Sequence, residues 1–171
     1  RDMMEDFGIR NQSDLQNLIP ATVILPYDAA IRGVGRNFRS LGGDPGISTY
    51  MNGVYSEDLY TATIGSFWDI KRIEILRGPQ GTLYGRNAIG GAMNFIYNEP
   101  TQETEGAFKT IVGTFDTIDT YGAISGALID DTLAGRLSFS NRTRDGYIAE
   151  GGEGPALDSG KERNVAAQLL W

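Results

Sequence analysis

Up to about residue 103 the apolar positions come in short runs broken by glycine-rich turns, and beyond about residue 105 they settle into long alternation. In the first region a short helix is expected over residues 14–18, capped by Ser13 and stopped by Pro20. Gly8 is expected to close an earlier helical turn ending near Phe7. Strands are expected over 22–25, 29–33, 47–54, 72–77 and 92–97. In the stretch 71–77, Ile73, Ile75 and Arg77 fall on one face, and Arg72, Glu74 and Leu76 on the other. Residues 79–88 read as a turn plus one turn of helix, because Gly78, Gly81 and Gly85 interrupt any strand.

The second region predicts strands over 106–114 and 118–128 around a short loop at 115–117, then a tight turn at Asp130-Asp131. A third strand is expected over 133–142 and a fourth over 164–171, with a polar, glycine-rich loop at about 145–163 between them. In the third, Leu133, Gly135, Leu137 and Phe139 alternate with Ala134, Arg136, Ser138 and Ser140. The fourth sets Val165, Ala167, Leu169 and Trp171 against Asn164, Ala166, Gln168 and Leu170. Strands of ~9–11 residues with one apolar and one small or polar face suit a transmembrane barrel. A soluble β-sandwich alternates in much the same way, and the strands alone favour it. The loop order leans the other way: short loop, tight turn, long loop matches a barrel with short turns on one side and longer loops on the other. In the barrel reading Leu133, Leu137, Phe139, Val165, Leu169 and Trp171 face lipid, and Arg136, Ser138, Arg142, Asn164 and Gln168 face the lumen.

Composition narrows the chemistry. Of 171 residues, 40% are hydrophobic and 22% charged, which allows a globular core. The 23 glycines exceed the usual ~7% share and suit tight turns in a β-rich protein. A net charge of −7 argues against nucleic acid as a partner. With no cysteine and no histidine, there is no disulfide framework, zinc site of the usual kind, Ser-His-Asp triad or histidine base within these residues. No stretch of ~18 apolar residues is available for a membrane helix. Arg1 opens straight into a mixed charged segment without the apolar run of a signal peptide, which leaves a cytosolic protein or a mature or truncated form, and the later strands favour the second.

Two glycine-rich segments invite nucleotide readings and fit them poorly. The run from Gly33 to Phe38 lacks the third glycine of a dinucleotide fingerprint, and no helix pattern follows. The run from Gly78 to Asn87 lacks the Lys-Ser/Thr that a phosphate loop requires. The acid pairs Glu57-Asp58 and Asp130-Asp131 read as solvated turns. Arg72, Glu74 and Arg77 stand out, because charges on a strand rich in Ile and Leu need partners wherever they are buried. Solvated surface pairing is the bland alternative.

Several segments then resemble one family. These are "DLQNLIPATVI", "IRGVG" with Arg32 and Gly33, "STYMNGVY", and "DIKRIEILRGPQGTLYGRNAIGGAMNFI" running into Asn-Glu-Pro-Thr. Downstream come "GTFDT", "ISGALIDDTLAGRLSF" and "RDGYI". Together they are similar, over essentially the whole chain, to the TonB-dependent outer-membrane receptors. Gly78, Pro79, Gly81, Tyr84, Gly85, Gly90, Gly91 and Asn94 carry the densest match, to the branch worded "GPQGTLYGRNAIGGA". One departure is Asn52, where the family usually has Asp before Gly53-Val54.

The resemblance implies an α+β plug domain with a small mixed sheet over 1–103. Residues 104–171 would be the first four or so antiparallel transmembrane strands of a barrel of about 22, left incomplete here. It implies a transporter rather than an enzyme, with no cofactor, catalytic residue or metal site of its own. The partners would be a ferric siderophore or another bulky nutrient, outer-membrane lipid, and TonB, which couples uptake to the proton-motive force. TonB would bind a segment upstream of Arg1. The complete protein would be a monomer in the outer membrane of a Gram-negative bacterium. Arg72, Glu74 and Arg77 become candidates for a latch between plug and barrel wall, and Arg36 and Arg39 for a ligand-facing loop. The alternatives are a soluble β-rich carbohydrate-binding module and a nucleotide-dependent enzyme using the glycine-rich loop.

Overall fold

A computed structural model describes residues 6–9, 12–25, 28–36, 44–56, 67–146 and 159–171. Arg39, Glu57 and Asp58 lie outside the described residues, as do residues 147–158 of the expected long loop. The chain separates into two compact units, Arg1–Asn98 and Glu99–Trp171.

In the first unit a helical turn, Gln12–Leu15, starts ahead of its expected cap, so Ser13 lies inside it. The chain then winds on in looser turns, with the Leu18 and Ile19 N–H groups donating to the Leu15 carbonyl at 3.0 and 3.2 Å, until Pro20. Strands β1 (Thr22–Leu25) and β2 (Asp28–Ile31) form an antiparallel hairpin. β2 stops at Ile31, short of the expected Gly33, because Arg32 and Gly33 adopt φ of +53° and +80°. Such left-handed residues cannot continue a strand. Ile31 and Val34 exchange two hydrogen bonds of 3.0 Å across them.

The strand expected over 47–54 is two strands. β3 (Ile47–Met51) folds back into β4 (Val54–Ser56) through Asn52 and Gly53, at φ +49° and +78°. Two left-handed residues are what a type I′ hairpin loop needs, and Asn-Gly is its preferred pair. A 3-10 turn, Phe67–Asp69, leads into β5 (Ile70–Arg77). A helical turn, Gly81–Tyr84, precedes β6 (Gly91–Tyr97). The sheet order is β4-β3-β6-β5, with β3 and β6 parallel and the other pairs antiparallel. It is a small mixed sheet.

One face of that sheet forms the core. Ile47, Ile70, Met93, Phe95 and Tyr97 pack with Leu15, Ile24, Ala29 and Ile31 from the helical turn and the β1–β2 hairpin. Phe67 meets Phe95 edge to face at 5.8 Å. At one point backbones touch: a Cβ on Gly46 would lie 2.6 Å from the Gly35 carbonyl oxygen. The Gly46 carbonyl in turn accepts from the Gly90 N–H at 2.9 Å. Glycine is required there by contact, because no side chain fits between the two segments.

The second unit is an antiparallel meander of β7 (Glu105–Gly113), β8 (Thr117–Ile129), β9 (Leu133–Arg144) and β10 (Gly160–Leu170). β10 begins at Gly160, ahead of the expected residue 164, because Lys161, Glu162 and Arg163 extend the ladder opposite Thr143, Arg142 and Asn141. The β7–β8 loop is as short as expected and lies one residue earlier. Thr114, Phe115 and Asp116 make it, the last two at positive φ.

Register sorts the side chains into two unlike faces. Phe108, Val112, Ile124, Leu137, Phe139, Val165 and Leu169 share one face and are exposed, Val112 at 76% and Val165 at 75%. The opposite face carries polar rows. Glu105, Ser125, Arg136 and Gln168 line up in one, and Ile111, Asp119, Arg142 and Glu162 in another. Arg136, 7% exposed, pairs with Glu105 at 3.3 Å. Arg142 lies between Asp119 at 3.7 Å and Glu162 at 3.4 Å. An exposed apolar face set against a face of paired charges inverts the pattern of a water-soluble sheet.

The Tyr97 hydroxyl is buried without a hydrogen-bond partner. Burial, reinforced by Asp69, pushes its phenol from 10.0 up to about 12. The native state therefore keeps a proton that the unfolded chain loses, so the titration leaves stability unchanged below pH 10.0 and lowers it as pH rises toward 12. Tyr97→Phe should be neutral or stabilising by up to about 1 kcal/mol in urea unfolding, and should remove the late tyrosinate titration. Gly46→Ala should destabilise by about 1–3 kcal/mol through overpacking. Gly81→Ala, where a Cβ meets nothing within 4 Å, should cost far less in the same measurement.

Candidate functional site

The other face of the mixed sheet holds most of the residues singled out from sequence. Because residues alternate along β5, Arg72 and Glu74 share this face while Ile73 and Ile75 pack against the core. The Arg72 Nε donates to Glu74 Oε1 at 2.7 Å. Opposite Glu74 on β6 stands Asn94, whose Nδ2 donates to Glu74 Oε2 at 3.3 Å. The Asn94 Oδ1 accepts the Gly53 N–H at 3.1 Å. Asn52, beside Gly53, accepts the Tyr97 N–H on its Oδ1 at 2.9 Å, and its own N–H donates to the Phe95 carbonyl at 2.9 Å. A polar chain thus runs from the β5 edge across β6 to the β3–β4 turn. The hydrogen bond from Arg72 holds the Glu74 carboxyl below its ordinary 4.5. With the bond from Asn94 it outweighs the opposing effect of partial desolvation.

Arg77 lies exposed at the end of β5, opposite Gly91. It makes no ion pair among the described residues. Arg72 is 53% exposed and Glu74 37%. Arg36 is half-buried and already engaged in an interaction of its own.

Residues 78–91 close over the same face. The Tyr50 hydroxyl donates to the Tyr84 carbonyl, and the Tyr50 ring meets Tyr84 and Tyr55 edge to face at 5.0 and 5.7 Å. The Asn87 Nδ2 donates to the Tyr55 hydroxyl at 2.9 Å and to Asp44 Oδ1 at 3.4 Å. Gly78 and Gln80 donate their N–H groups to the carbonyls of Gly90 and Ala88, and Leu83, Tyr84 and Gly85 donate back to Gln80 and Gly81. A phosphate loop presents such N–H groups to its ligand. Here the five N–H groups of Gly78, Gln80, Leu83, Tyr84 and Gly85 are spent within the chain, so the glycine-rich run, with Pro79 near its start, acts as a structural clip. Arg32 and Gly33 form the turn after β2, Gly85 takes a left-handed φ of +72°, and Gly90 sits against Ile47 and Val34.

The sequence reading missed Tyr50, Tyr55 and Asn87, whose roles depend on contacts made from far along the chain. It also missed the part played by Asn52, although Asn-Gly is the strongest short hairpin signal. No group of acids able to hold a metal ion occurs among the described residues. The site works by ion pairs and hydrogen bonds.

Comparison with known proteins agrees with this geometry. The family model of the TonB-dependent receptor plug domain matches residues 1–92. The chain is 34% identical over 151 residues to the pesticin receptor of Yersinia enterocolitica, covering 84% of this chain and 22% of that protein. It is 30% identical over 154 residues to the ferripyoverdine receptor of Pseudomonas aeruginosa, covering 86% of this chain and 18% of that one. The crystal structure of the ferric yersiniabactin uptake receptor of Yersinia pestis superposes with a TM-score of 0.77 at 24% identity, covering 97% of this chain and 26% of that one. The chain therefore spans about a fifth of the length of the curated relatives it matches. With a plug-family match over more than half its length and a mixed sheet followed by antiparallel strands turned apolar side out, the chain belongs to the TonB-dependent receptors of the Gram-negative outer membrane.

Proposed function

We propose that these residues are the plug and first barrel strands of a transporter that takes up a ferric siderophore, or another bulky nutrient, and draws on TonB and the proton-motive force. Residues 1–103 are the plug in this reading and 104–171 the first strands of the wall. The observation that carries it is the inverted second sheet. Its outward Val, Leu, Ile and Phe side chains suit lipid, and its inward Arg136 and Arg142 are paired. An arginine turned to lipid at the bilayer midplane would cost about 2–4 kcal/mol. A soluble sandwich would bury that apolar face against a second sheet, and among the described residues it stays exposed. The named substrates of the relatives, pyoverdine and yersiniabactin chelates of iron, favour a ferric chelate as cargo.

In this reading Arg72, Glu74 and Arg77 latch the plug to groups of complementary charge on further strands of the wall. The exposed Arg77 and the Arg72–Glu74 pair at the β5 edge supply charge of both signs for such contacts. Removing one partner strands the other charge, so Glu74→Ala or Arg77→Ala in the full-length receptor should lower energised uptake and raise passive leak of a large antibiotic. Wild-type uptake and leak in a normally inserted protein would reject the latch. The depressed Glu74 carboxyl adds a pH signature. Its stabilising contribution is present above pH 4.5 and disappears as pH falls through the lower folded value, so leak should begin only below 4.5.

Arg36 and Arg39 are the proposed anion contacts for the chelate, because guanidinium groups pair with carboxylate and catecholate oxygens. Replacing both with alanine should weaken the apparent uptake affinity by about tenfold, the scale of one lost charge-assisted bond at ~1.5 kcal/mol. Unchanged uptake kinetics would remove them from the ligand site.

A further inference from the structure

Asn52–Gly53 is the sole Asn-Gly pair in the sequence, and it sits exposed at the tip of the β3–β4 hairpin. Asn-Gly is the pair most open to spontaneous deamidation, since glycine puts no Cβ beside the attacking nitrogen. In that reaction the Gly53 backbone nitrogen loses its proton and attacks the Asn52 side-chain Cγ. The new C–N bond closes a five-membered succinimide, the Cγ–Nδ2 bond breaks, and ammonia leaves with the proton. Water then opens the ring at either carbonyl, leaving aspartate or isoaspartate.

The fold opposes both halves of the attack. The nucleophile is occupied, because the Gly53 N–H donates to Asn94 Oδ1 at 3.1 Å. The electrophile is held, because the Asn52 Oδ1 accepts the Tyr97 N–H at 2.9 Å, which keeps the carboxamide turned to β6. Asn94 is itself oriented, 7% exposed and with its Nδ2 on Glu74 at 3.3 Å, so its oxygen faces Gly53. We propose that the Asn52–Gly53 turn is a latent deamidation site that the folded plug keeps closed through Asn94, and that it opens whenever the hairpin separates from β6.

The two products differ in consequence. Aspartate retains an acceptor for the Tyr97 N–H. Isoaspartate routes the main chain through the side-chain methylene and lengthens a two-residue loop that joins the directly paired Met51 and Val54. That register cannot absorb an extra backbone atom, so isoaspartate releases β4.

The test is peptide mapping of the full-length receptor, incubated in detergent at mildly alkaline pH. The tryptic peptide of residues 40–71 contains Asn52 as its one asparagine, so the mass change of amide to acid reports this site alone. Folded wild type should deamidate several-fold more slowly than the same protein unfolded in urea. Asn94→Ala, confirmed folded by circular dichroism and protease resistance, should approach the unfolded rate. Equal rates for folded and unfolded wild type would overturn the closure, and this comparison decides even if the variant fails to insert. A folded Asn94→Ala that keeps the wild-type rate would remove Asn94 as the guard.

Discussion

β6 is the strand on which the first unit depends, because it pairs along both edges, parallel to β3 and antiparallel to β5. Its alternation divides two functions between two faces. Met93, Phe95 and Tyr97 enter the core, while Asn94 stands on the other side and joins Glu74 to the Asn52–Gly53 turn. A slip of one residue would exchange these sets, putting an amide into the core and a phenylalanine outside it. Burying Phe95 is worth a few kcal/mol (~1.5–3) and an unsatisfied buried amide costs a comparable amount, so packing and polar satisfaction both select the observed register. The clip of residues 78–91 relies on the same register, since Tyr50 receives its position from pairing opposite Asn94.

The second unit obeys the opposite solvent rule. Its exposed face is apolar, and its buried positions on β9 are Ala134, Arg136, Ser138 and Ser140. An arginine that is 7% exposed must be compensated, because desolvating an ion costs several kcal/mol. The rows supply that compensation across strands, from Glu105 to Arg136 and from Asp119 and Glu162 to Arg142. Glycine has a packing role on the apolar face. A Cβ on Gly122 would lie 2.3 Å from the Phe139 ring, so the ring lies over the bare backbone of its cross-strand neighbour.

Much of this was legible along the chain. The alternation in β9 and β10 separates Leu137, Phe139 and Val165 from Arg136, Ser138 and Asn164, and the structure keeps them on separate faces. The Arg72–Glu74 pair was readable because residues two apart on a strand share a face. The glycine-rich wording of residues 78–91 identified a family, although its local chemistry suggested a phosphate loop. What settles its role is where its N–H groups go, and their acceptors include Ala88 and Gly90.

The sequence by itself determined the periodicities, and with them which residues share a face, because strand geometry sends alternate side chains to opposite sides whatever surrounds them. It also determined the family, through a long and specific run of words. The tertiary structure decided the rest. It broke the expected strand at Asn52, ended β2 at Ile31, and made Phe115 and Asp116 left-handed without a glycine between them. It likewise chose Asn94 and Tyr50 as the residues that tie distant segments together. The ties between segments depend on partners 34 and 45 residues away, Tyr84 for Tyr50 and Asn52 for Tyr97. Local pattern carries no record of such partners, because their free energy exists only once the sheet has brought them together.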